Sequence, residues 1–203
     1  MYVRLVSVTG DPDKIDHTVE QLTAEGQNLP AEQPGFLGLG IFIDREGGKL
    51  VVSTWWESEE VMRASEEALR ERRGPLLAPF ALTMTIETFE AVAVRRPQVR
   101  LGPGAGFRLN RLEFAPSEDP RLVESFQNTV LPRIETNPGF AGAALLINRA
   151  AGHAVIGVLY TDRQALVTSR VAARGVRADA LKEARLTWHD LEEFEVVTTA
   201  LTS

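Results

Sequence analysis

Five side chains in strand-like stretches are the residues best suited to hold a small molecule. Asn110 and Arg111 interrupt an apolar stretch, and a polar side chain there must find hydrogen-bond partners or face a cavity. Trp55 and Trp56 end another stretch and point to opposite faces of the predicted strand. Tyr160 ends a third stretch and is able to donate a hydrogen bond to a substrate carbonyl. Large rings with few polar groups are typical of a pocket for an aromatic molecule.

Each of these candidates also has a purely structural interpretation. The two tryptophans bury a large area wherever they pack, which favours an ordinary role in the core. A tyrosine at a strand end is more often half-buried, with its hydroxyl group in water, than part of a site. For Asn110 and Arg111, a pocket and a structural hydrogen bond are equally well supported. All five residues are therefore candidates for substrate binding, and the catalytic residues stay unassigned.

The three histidines do not predict a catalytic or metal centre. His17 falls on the polar side of a predicted helix, His153 in a hairpin turn, and His189 before the last strand, next to Asp190. No metal triad, Ser-His-Asp set or close carboxylate pair follows from the spacing. The absence of cysteine excludes disulfides, thiolate metal sites and a cysteine nucleophile. We therefore expect neither a metal nor a cofactor.

The candidates lie on elements that occur twice in the chain. Pro-Gly-Phe-Leu-Gly begins at Pro34 and Pro-Gly-Phe-Ala-Gly at Pro138, and each is followed by an apolar run, a glycine turn and a second apolar run. Pro34 and Pro138 are 104 positions apart, and so are Trp56 and Tyr160. A register shared across a whole hairpin indicates an internal duplication.

Each copy of the hairpin belongs to a predicted β-α-β-β-α-β module. Residues 1–95 form the first ferredoxin-like repeat, residues 96–106 a linker rich in Gly and Pro, and residues 107–203 the second repeat. Right-handed crossovers place both helices of such a module on one face of its sheet. The other face is apolar and needs a partner. We therefore predict an α+β fold with the two repeats packed sheet to sheet as a barrel.

Glycine and proline suggest where the helices begin and end. Asp11 is predicted to cap the first helix, with Pro12 at its first position. That helix is expected to end between Gly26 and Pro30, and the second helix at Gly74-Pro75. Gly175 is expected to interrupt the corresponding helix of the second repeat.

Composition narrows the classes of partner. A net charge of −6 with scattered basic residues argues against nucleic acid. No apolar run approaches the ~20 residues of a membrane span, and the N-terminal sequence does not resemble a signal peptide. We expect a cytoplasmic protein without nucleic-acid or membrane partners. A homo-oligomer beyond the internal pair is compatible with the sequence.

The first hairpin resembles a known family. Its Pro-Gly-Phe motif, the glycine turn and the run from Val51 to Glu60, which contains Trp55-Trp56-Glu57-Ser58, are similar to the antibiotic-biosynthesis-monooxygenase family of the dimeric α/β-barrel superfamily. The resemblance implies an intramolecular dimeric α/β barrel. Relatives include cofactor-independent oxygenases of polycyclic aromatic substrates, haem-degrading enzymes and proteins without known activity.

The haem-degrading branch is marked by an Asn on strand one, a Trp ending strand three and a His on the second helix. The first repeat has the Trp, but Ser65 stands near the His position. The second has Asn110, but Tyr160 replaces the Trp and Ser169 stands near the His position. Since an axial imidazole is missing from both repeats, haem degradation is not expected.

The resemblance implies a cofactor-independent monooxygenase acting on an aromatic or polycyclic small molecule. Two alternatives stay open: a non-catalytic binder of an apolar molecule, and an assembly domain in which the duplication only completes the barrel. The difference between Trp56 and Tyr160 predicts that at most one repeat retains a working pocket.

Overall fold

The computed structural model describes residues 1–26, 28–184 and 186–201, and it confirms the predicted α+β class. The antiparallel strands are hydrogen-bonded in the order β1-β3-β2-β8-β5-β7-β6-β4, as a closed barrel. Their bounds are β1 (Tyr2–Gly10), β2 (Phe36–Asp44), β3 (Lys49–Trp56), β4 (Ala81–Arg95), β5 (Gly106–Glu113), β6 (Phe140–Asn148), β7 (His153–Tyr160) and β8 (Thr187–Leu201).

Two helical regions in each repeat connect these strands. In the first repeat they are α1 (Ile15–Gln21) with α2 (Asn28–Ala31), and α3 (Glu59–Ala64) with α4 (Glu66–Leu77). In the second they are α5 (Asp119–Ser125) with α6 (Leu131–Glu135), and α7 (Arg163–Thr168) with α8 (Arg170–Ala184). The order β-α-β-β-α-β is therefore present twice. In the described part of the chain, no helix has the length and apolar character needed to cross a bilayer.

The chain divides into two compact units, the first formed by Met1–Thr88 with the chain end from Val196, and the second by Phe89–Glu195. In the first unit β3 lies between β1 and β2, and both neighbours pair with its last residue, Trp56. Apolar side chains from these strands pack with helical residues such as Ile15 and Leu77 in one core cluster. The helices thus cover one face of the sheet.

The second unit repeats this arrangement. Here β7 lies between β5 and β6, and Tyr160 pairs with a residue of each. The first half of β8 pairs with β5, and the second half of β4 pairs with β6. The units thus divide β4 between Thr88 and Phe89 and β8 between Glu195 and Val196, within strands. The predicted sequence division at residues 96–106 stays a prediction.

The Pro-Gly-Phe turns have the same geometry in both units. Gly35 has a φ angle of 71° and Gly139 one of 75°, a region that a residue with a Cβ rarely adopts. The carbonyl of Gly35 accepts a hydrogen bond from the amide of Glu57, and that of Gly139 accepts one from Thr161. The glycine in this motif is therefore needed for the hairpin to meet the start of the next helix.

Two predicted helix ends are wrong. The predicted end of the first helix between Gly26 and Pro30 is within one residue of Ala31, where α2 ends after the π-helical turn Leu22–Gly26. The helix α4 continues through Gly74-Pro75, because Leu76 and Leu77 after the proline pack into the core. Gly175 lies within a continuous α8. Burial of apolar side chains outweighs the local cost of glycine and proline at these positions.

Candidate functional site

A buried arginine occupies the centre of the second unit. Arg108 on β5 is only 2% exposed. Its Nη1 donates to the hydroxyl of Tyr160 over 3.2 Å and to Ser169 Oγ over 3.0 Å, and its Nη2 donates to the carbonyl of Leu166 over 2.9 Å. Strand β5 thus directs the guanidinium into the gap between α7 and α8, where these acceptors satisfy it.

The charge of Arg108 is balanced by Glu193 on β8. The carboxylate accepts from Arg108 Nη2 over 2.8 Å and from Nε over 3.0 Å, and it also accepts from Arg170 Nε over 3.0 Å. Burial acts to raise the pKa of Glu193, but the hydrogen bonds and charges of Arg170 and Arg108 outweigh burial and lower it. Glu193 is therefore an ionised structural partner and a poor proton acceptor.

An apolar cavity of about 60 Å³ lies beside this arginine, between the sheet and the helices of the second unit. By the criterion of roughly 10–15 Å³ for each water, it has room for several water molecules. The polar groups at its wall include Asn110, Tyr160 and Arg177. Its apolar walls come from β5, β7, α5, α6 and α8 and from the π-helical turn Phe126–Val130, through Leu112, Leu122, Phe126, Val130, Ile134, Ile156, Val158, Val176 and Ala180, among others. Such a wall suits an apolar molecule oriented by few hydrogen bonds.

The first unit contains the corresponding arginine. Arg4 lies 104 positions before Arg108, is 3% exposed and donates to Ser65 Oγ over 3.2 Å and to the carbonyl of Met62. Its Nε pairs with Glu66 over 3.0 Å. Its pKa is lowered by burial, which outweighs the attraction of Glu66. A cavity of about 70 Å³ lies beside it, lined by apolar side chains, Thr54 and Arg73.

The two carboxylates come from different elements. Glu66 belongs to α4 and binds both Arg4 and Arg73, the latter over 2.7 Å. The position 104 residues later is Arg170, and the carboxylate is supplied by Glu193 on β8. The second unit thus has an additional arginine in place of the first unit's helical glutamate.

The structure brings together two of the five predicted site residues. Asn110 and Tyr160 both line the cavity of the second unit, and Asn110 Nδ2 makes a long contact of 3.4 Å with the carbonyl of Ile156. Tyr160 is fully buried, so the expectation of a hydroxyl group in water is wrong. The acceptor role toward Arg108 is the physical reason, since this hydrogen bond replaces water.

The other three candidates lie apart from that cavity. Arg111 lies next to Asn110 in the strand, and its Nε is 3.5 Å from Glu192. Trp56 is fully buried in the first unit, where its ring meets Phe36 edge-on at 5.6 Å and its Nε1 donates to Thr54. Trp55 is half-buried and lines neither of the two cavities described above.

Two histidines that are far apart in the sequence lie near the same carboxylate. His189 Nε2 is 2.7 Å from Glu113 Oε1, and His153 Nε2 is 4.0 Å from the same oxygen. The antiparallel neighbours of β5 bring them to Glu113 at the strand end. Within the described residues, however, no group of three or more potential ligands is placed to hold a metal ion.

Sequence reasoning missed Arg4, Arg108 and their serine partners. A signal was present, because Arg4 and Arg108 share the 104-residue register of the hairpins, as do Ser65 and Ser169. A charged residue repeated at the same place in a β-branched, apolar strand indicates a buried and satisfied group. No such signal indicated Glu193, because the carboxylate that pairs with the buried arginine lies on a helix in the first repeat and on a strand in the second.

Comparisons with known proteins agree with this architecture. Residues 1–71 match the model of the antibiotic biosynthesis monooxygenase family, which confirms the predicted resemblance for the first repeat. The first repeat is thus similar to that family, and the second repeat has the same order of strands and helices.

Individual proteins extend the likeness to the whole chain. The uncharacterised protein Rv2557 of Mycobacterium tuberculosis is 28% identical over 97% of this chain and 87% of its own length. A candidate monooxygenase of Fusobacterium nucleatum superposes with a TM-score of 0.73 at 11% identity, over 100% of this chain and 94% of its own. An anthrone oxidase-like protein gives 0.73 at 13% identity, over 100% and 93%. At these identities, the solved structures show a shared fold.

Proposed function

We propose that the protein is a cofactor-independent monooxygenase that binds an aromatic or polycyclic small molecule in the cavity of its second unit. The observation that carries this proposal is the wall of the cavity, which is apolar apart from a few polar groups such as Asn110 and Tyr160. A polycyclic ligand needs more room than about 60 Å³, and a neighbouring pocket of about 350 Å³, which shares lining residues with the cavity, supplies it. A protein whose duplication served only to complete a barrel needs no such space. The family match of residues 1–71 favours oxygen chemistry over simple binding.

The arrangement suits a substrate whose own carbanion reacts with oxygen. In an anthrone-like molecule, transfer of a proton from the CH₂ group to water leaves an enolate whose negative charge rests on an oxygen. The hydroxyl of Tyr160 already accepts from Arg108, so its proton is free to be donated to that oxygen. Hydrogen bonds to developing negative charge in a dry cavity are a large catalytic effect.

The redox balance closes without a cofactor. Oxidation of a CH₂ group to a carbonyl by O₂ inserts one oxygen atom, and the second leaves as water with both hydrogens of the CH₂ group. The substrate supplies all four electrons. The protein has to bind the substrate, stabilise the enolate and exclude bulk water, which are tasks that the described side chains are able to perform.

Two features favour the second unit over the first. Ala173 and Ala180 on α8 stand where α4 has Leu69 and Leu76, so the helix side of this cavity is lined by smaller side chains. Asn110 stands at the position of Val6, which adds a hydrogen-bonding group to the wall. The first unit retains a cavity of similar volume, in which the equivalent positions carry larger apolar side chains and no amide.

Oxygen consumption with anthrone as the probe tests the proposal. We expect uptake above the uncatalysed rate, with one O₂ consumed and one anthraquinone formed for each anthrone. Asn110→Val, which copies the first unit at Val6, should lower the rate at least about tenfold if the amide orients the substrate. Leu39→Met, a volume-conserving change in the first unit's cavity, should leave the rate unchanged.

A second outcome identifies the alternative function. If anthrone raises the melting temperature but no oxygen is consumed above background, the protein is a binder of apolar molecules. If anthrone neither binds nor reacts, the proposed function is wrong for this substrate class.

A further inference from the structure

A group of arginines lies at one end of the second unit's cavity. A second, wider pocket of about 350 Å³ is formed by Ala173, Leu191, Glu193 and four arginines: Arg108, Arg170, Arg174 and Arg177. It shares Arg108, Ala173 and Arg177 with the apolar cavity. The two spaces are therefore neighbours that share these residues, one with a mainly apolar wall and the other with a cationic one.

The positive charge of this pocket is only partly neutralised. Four guanidinium groups line this pocket together with one carboxylate, that of Glu193. Glu193 binds Arg108 and Arg170. Within the described residues, neither Arg174 nor Arg177 forms an ion pair. The pKa of Arg177 is lowered, first by burial and then by the positive charges of Arg108 and Arg174. A cluster that repels its own members favours an anion that enters it.

Arg177, which lines both spaces, is held in place by an aromatic ring. Its guanidinium lies 4.3 Å from the centre of the Trp188 ring, and Trp188 is fixed by a hydrogen bond of 2.8 Å from its Nε1 to the carbonyl of Asp190. A stacked guanidinium keeps its edge free for a planar anion such as a carboxylate. The Trp188 side chain is 41% exposed, so an aromatic ligand has a further surface on which to stack.

The corresponding group of charged side chains in the first unit carries less positive charge. The residues equivalent to Arg170, Arg174 and Arg177 are Glu66, Arg70 and Arg73. There Glu66 binds both Arg4 and Arg73, so the arginine at the cavity wall has a carboxylate partner. The replacement of Glu66 by Arg170 removes that partner in the second unit. The charge excess is therefore particular to the cavity that has also lost two leucines.

We propose that the second unit takes an aromatic ligand that carries an anionic group, with its rings in the apolar cavity and its anion on Arg174 and Arg177. The proposal rests on the proposed function for the location of the rings, and it adds the class of substrate: an aromatic carboxylate or an equivalent anion. The anion is bound at the arginine end, away from Asn110, so the group that reacts with oxygen is at the other end of the molecule.

Binding of a matched pair of probes tests this assignment. We expect 2-naphthoate to bind at least tenfold more tightly than 2-naphthamide, which has the same rings and no charge. Arg177→Gln should weaken 2-naphthoate about tenfold and leave 2-naphthamide unchanged, and raising NaCl from 50 to 500 mM should act on the acid alone. Equal affinities for the two probes, or equal weakening of both, would overturn the proposal.

Matched variants separate this proposal from its alternatives. Arg174 is exposed and forms no ion pair with the residues that the structure describes, so Arg174→Gln tests the cluster even if Arg177→Gln does not fold. Arg70→Gln removes the same charge at the equivalent position of the first repeat and should leave both affinities unchanged. Loss of affinity in Arg70→Gln as large as in Arg174→Gln would show a general charge effect and contradict the site. Binding of the amide with no preference for the acid leaves the proposed function standing and rejects the anion. Absence of binding for both probes rejects both.

Discussion

Arg108 donates a hydrogen bond of 3.2 Å to the hydroxyl of Tyr160 while its guanidinium carbon lies 5.4 Å from the centre of the same ring. In the first unit, Arg4 keeps the second contact, at 5.6 Å from the ring of Trp56, but finds no hydroxyl there. One position thus carries a ring that packs on the arginine in both repeats. Only in the second repeat does that ring bring a proton to the cavity wall.

Tyr160→Phe should remove this proton with little change in shape. We expect the affinity for the ketone 2-acetonaphthone to fall about five- to tenfold, in line with about 1 kcal/mol for a hydrogen bond. The affinity for 2-ethylnaphthalene, which has no acceptor, should stay the same. Fluorescence titration of both probes measures the difference. Equal weakening of the two would show that the hydroxyl supports the fold and does not contact the ligand.

Glu193→Gln should change how stability depends on pH. The pKa of Glu193 is lowered in the folded protein: burial opposes the shift, but Arg170 and Arg108 outweigh burial. Because the unfolded value is about 4.3, the pairing stabilises the protein fully above that pH. The stabilisation is lost as the pH falls through the lowered folded-state pKa.

The expected result is a loss of about 3 kcal/mol in the free energy of unfolding at pH 7, since removal of one partner leaves Arg108 buried with less compensation. The difference in the free energy of unfolding between the wild type and the variant should become smaller as the pH is lowered. Urea unfolding at pH 7, 5 and 3.5 measures it. Glu124→Gln, an exposed change of the same kind on α5, should have no effect. A constant difference at all three pH values would contradict the role of the pair.

Much of the architecture was predictable from the sequence, because hairpins and turns are determined by neighbouring residues. The repeated Pro-Gly-Phe motif and the apolar strands predicted two β-α-β-β-α-β modules, and Asp11 caps the first helical turn by accepting from Asp13 as expected. The wrong helix ends at Gly74-Pro75 and Gly175 share one cause. Packing of distant side chains against a helix is not visible in the local sequence, and it decides whether the helix continues.

The candidate site was less predictable for a similar reason. Asn110 and Tyr160 were identified as polar or aromatic exceptions within apolar strands. Glu193 and Arg177 were not, because each lies on an element rich in charge, where one residue does not stand out. Their roles follow from β8 pairing with β5 and α8 packing beside it, and these contacts join segments far apart in the chain.

Gly175→Ala should stabilise the protein by about 0.5–1 kcal/mol, because glycine is costly inside a helix. A Cβ at this position meets no atom within 4 Å. Thermal unfolding should show a higher midpoint. Gly139→Ala is the opposite case, since φ is 75° and the added carbon would lie 2.4 Å from Ala165 Cβ. A lower midpoint for Gly175→Ala would indicate that α8 has to bend at this glycine.

Ala173→Leu should narrow the cavity of the second unit at its arginine end, by placing there the residue that the first unit has at Leu69. Ala173 lines both the apolar cavity and the arginine pocket, so three added carbons should fill space that the proposed ligand needs. We expect affinity for 2-naphthoate to fall at least tenfold, with the free energy of unfolding unchanged or raised by up to about 1 kcal/mol through the added burial. Ala172→Leu, on the exposed side of the same helix, should change neither quantity. Retained affinity in a folded Ala173→Leu variant would place the ligand elsewhere, whereas a loss of stability of more than about 1 kcal/mol would show that the added carbons overpack the site.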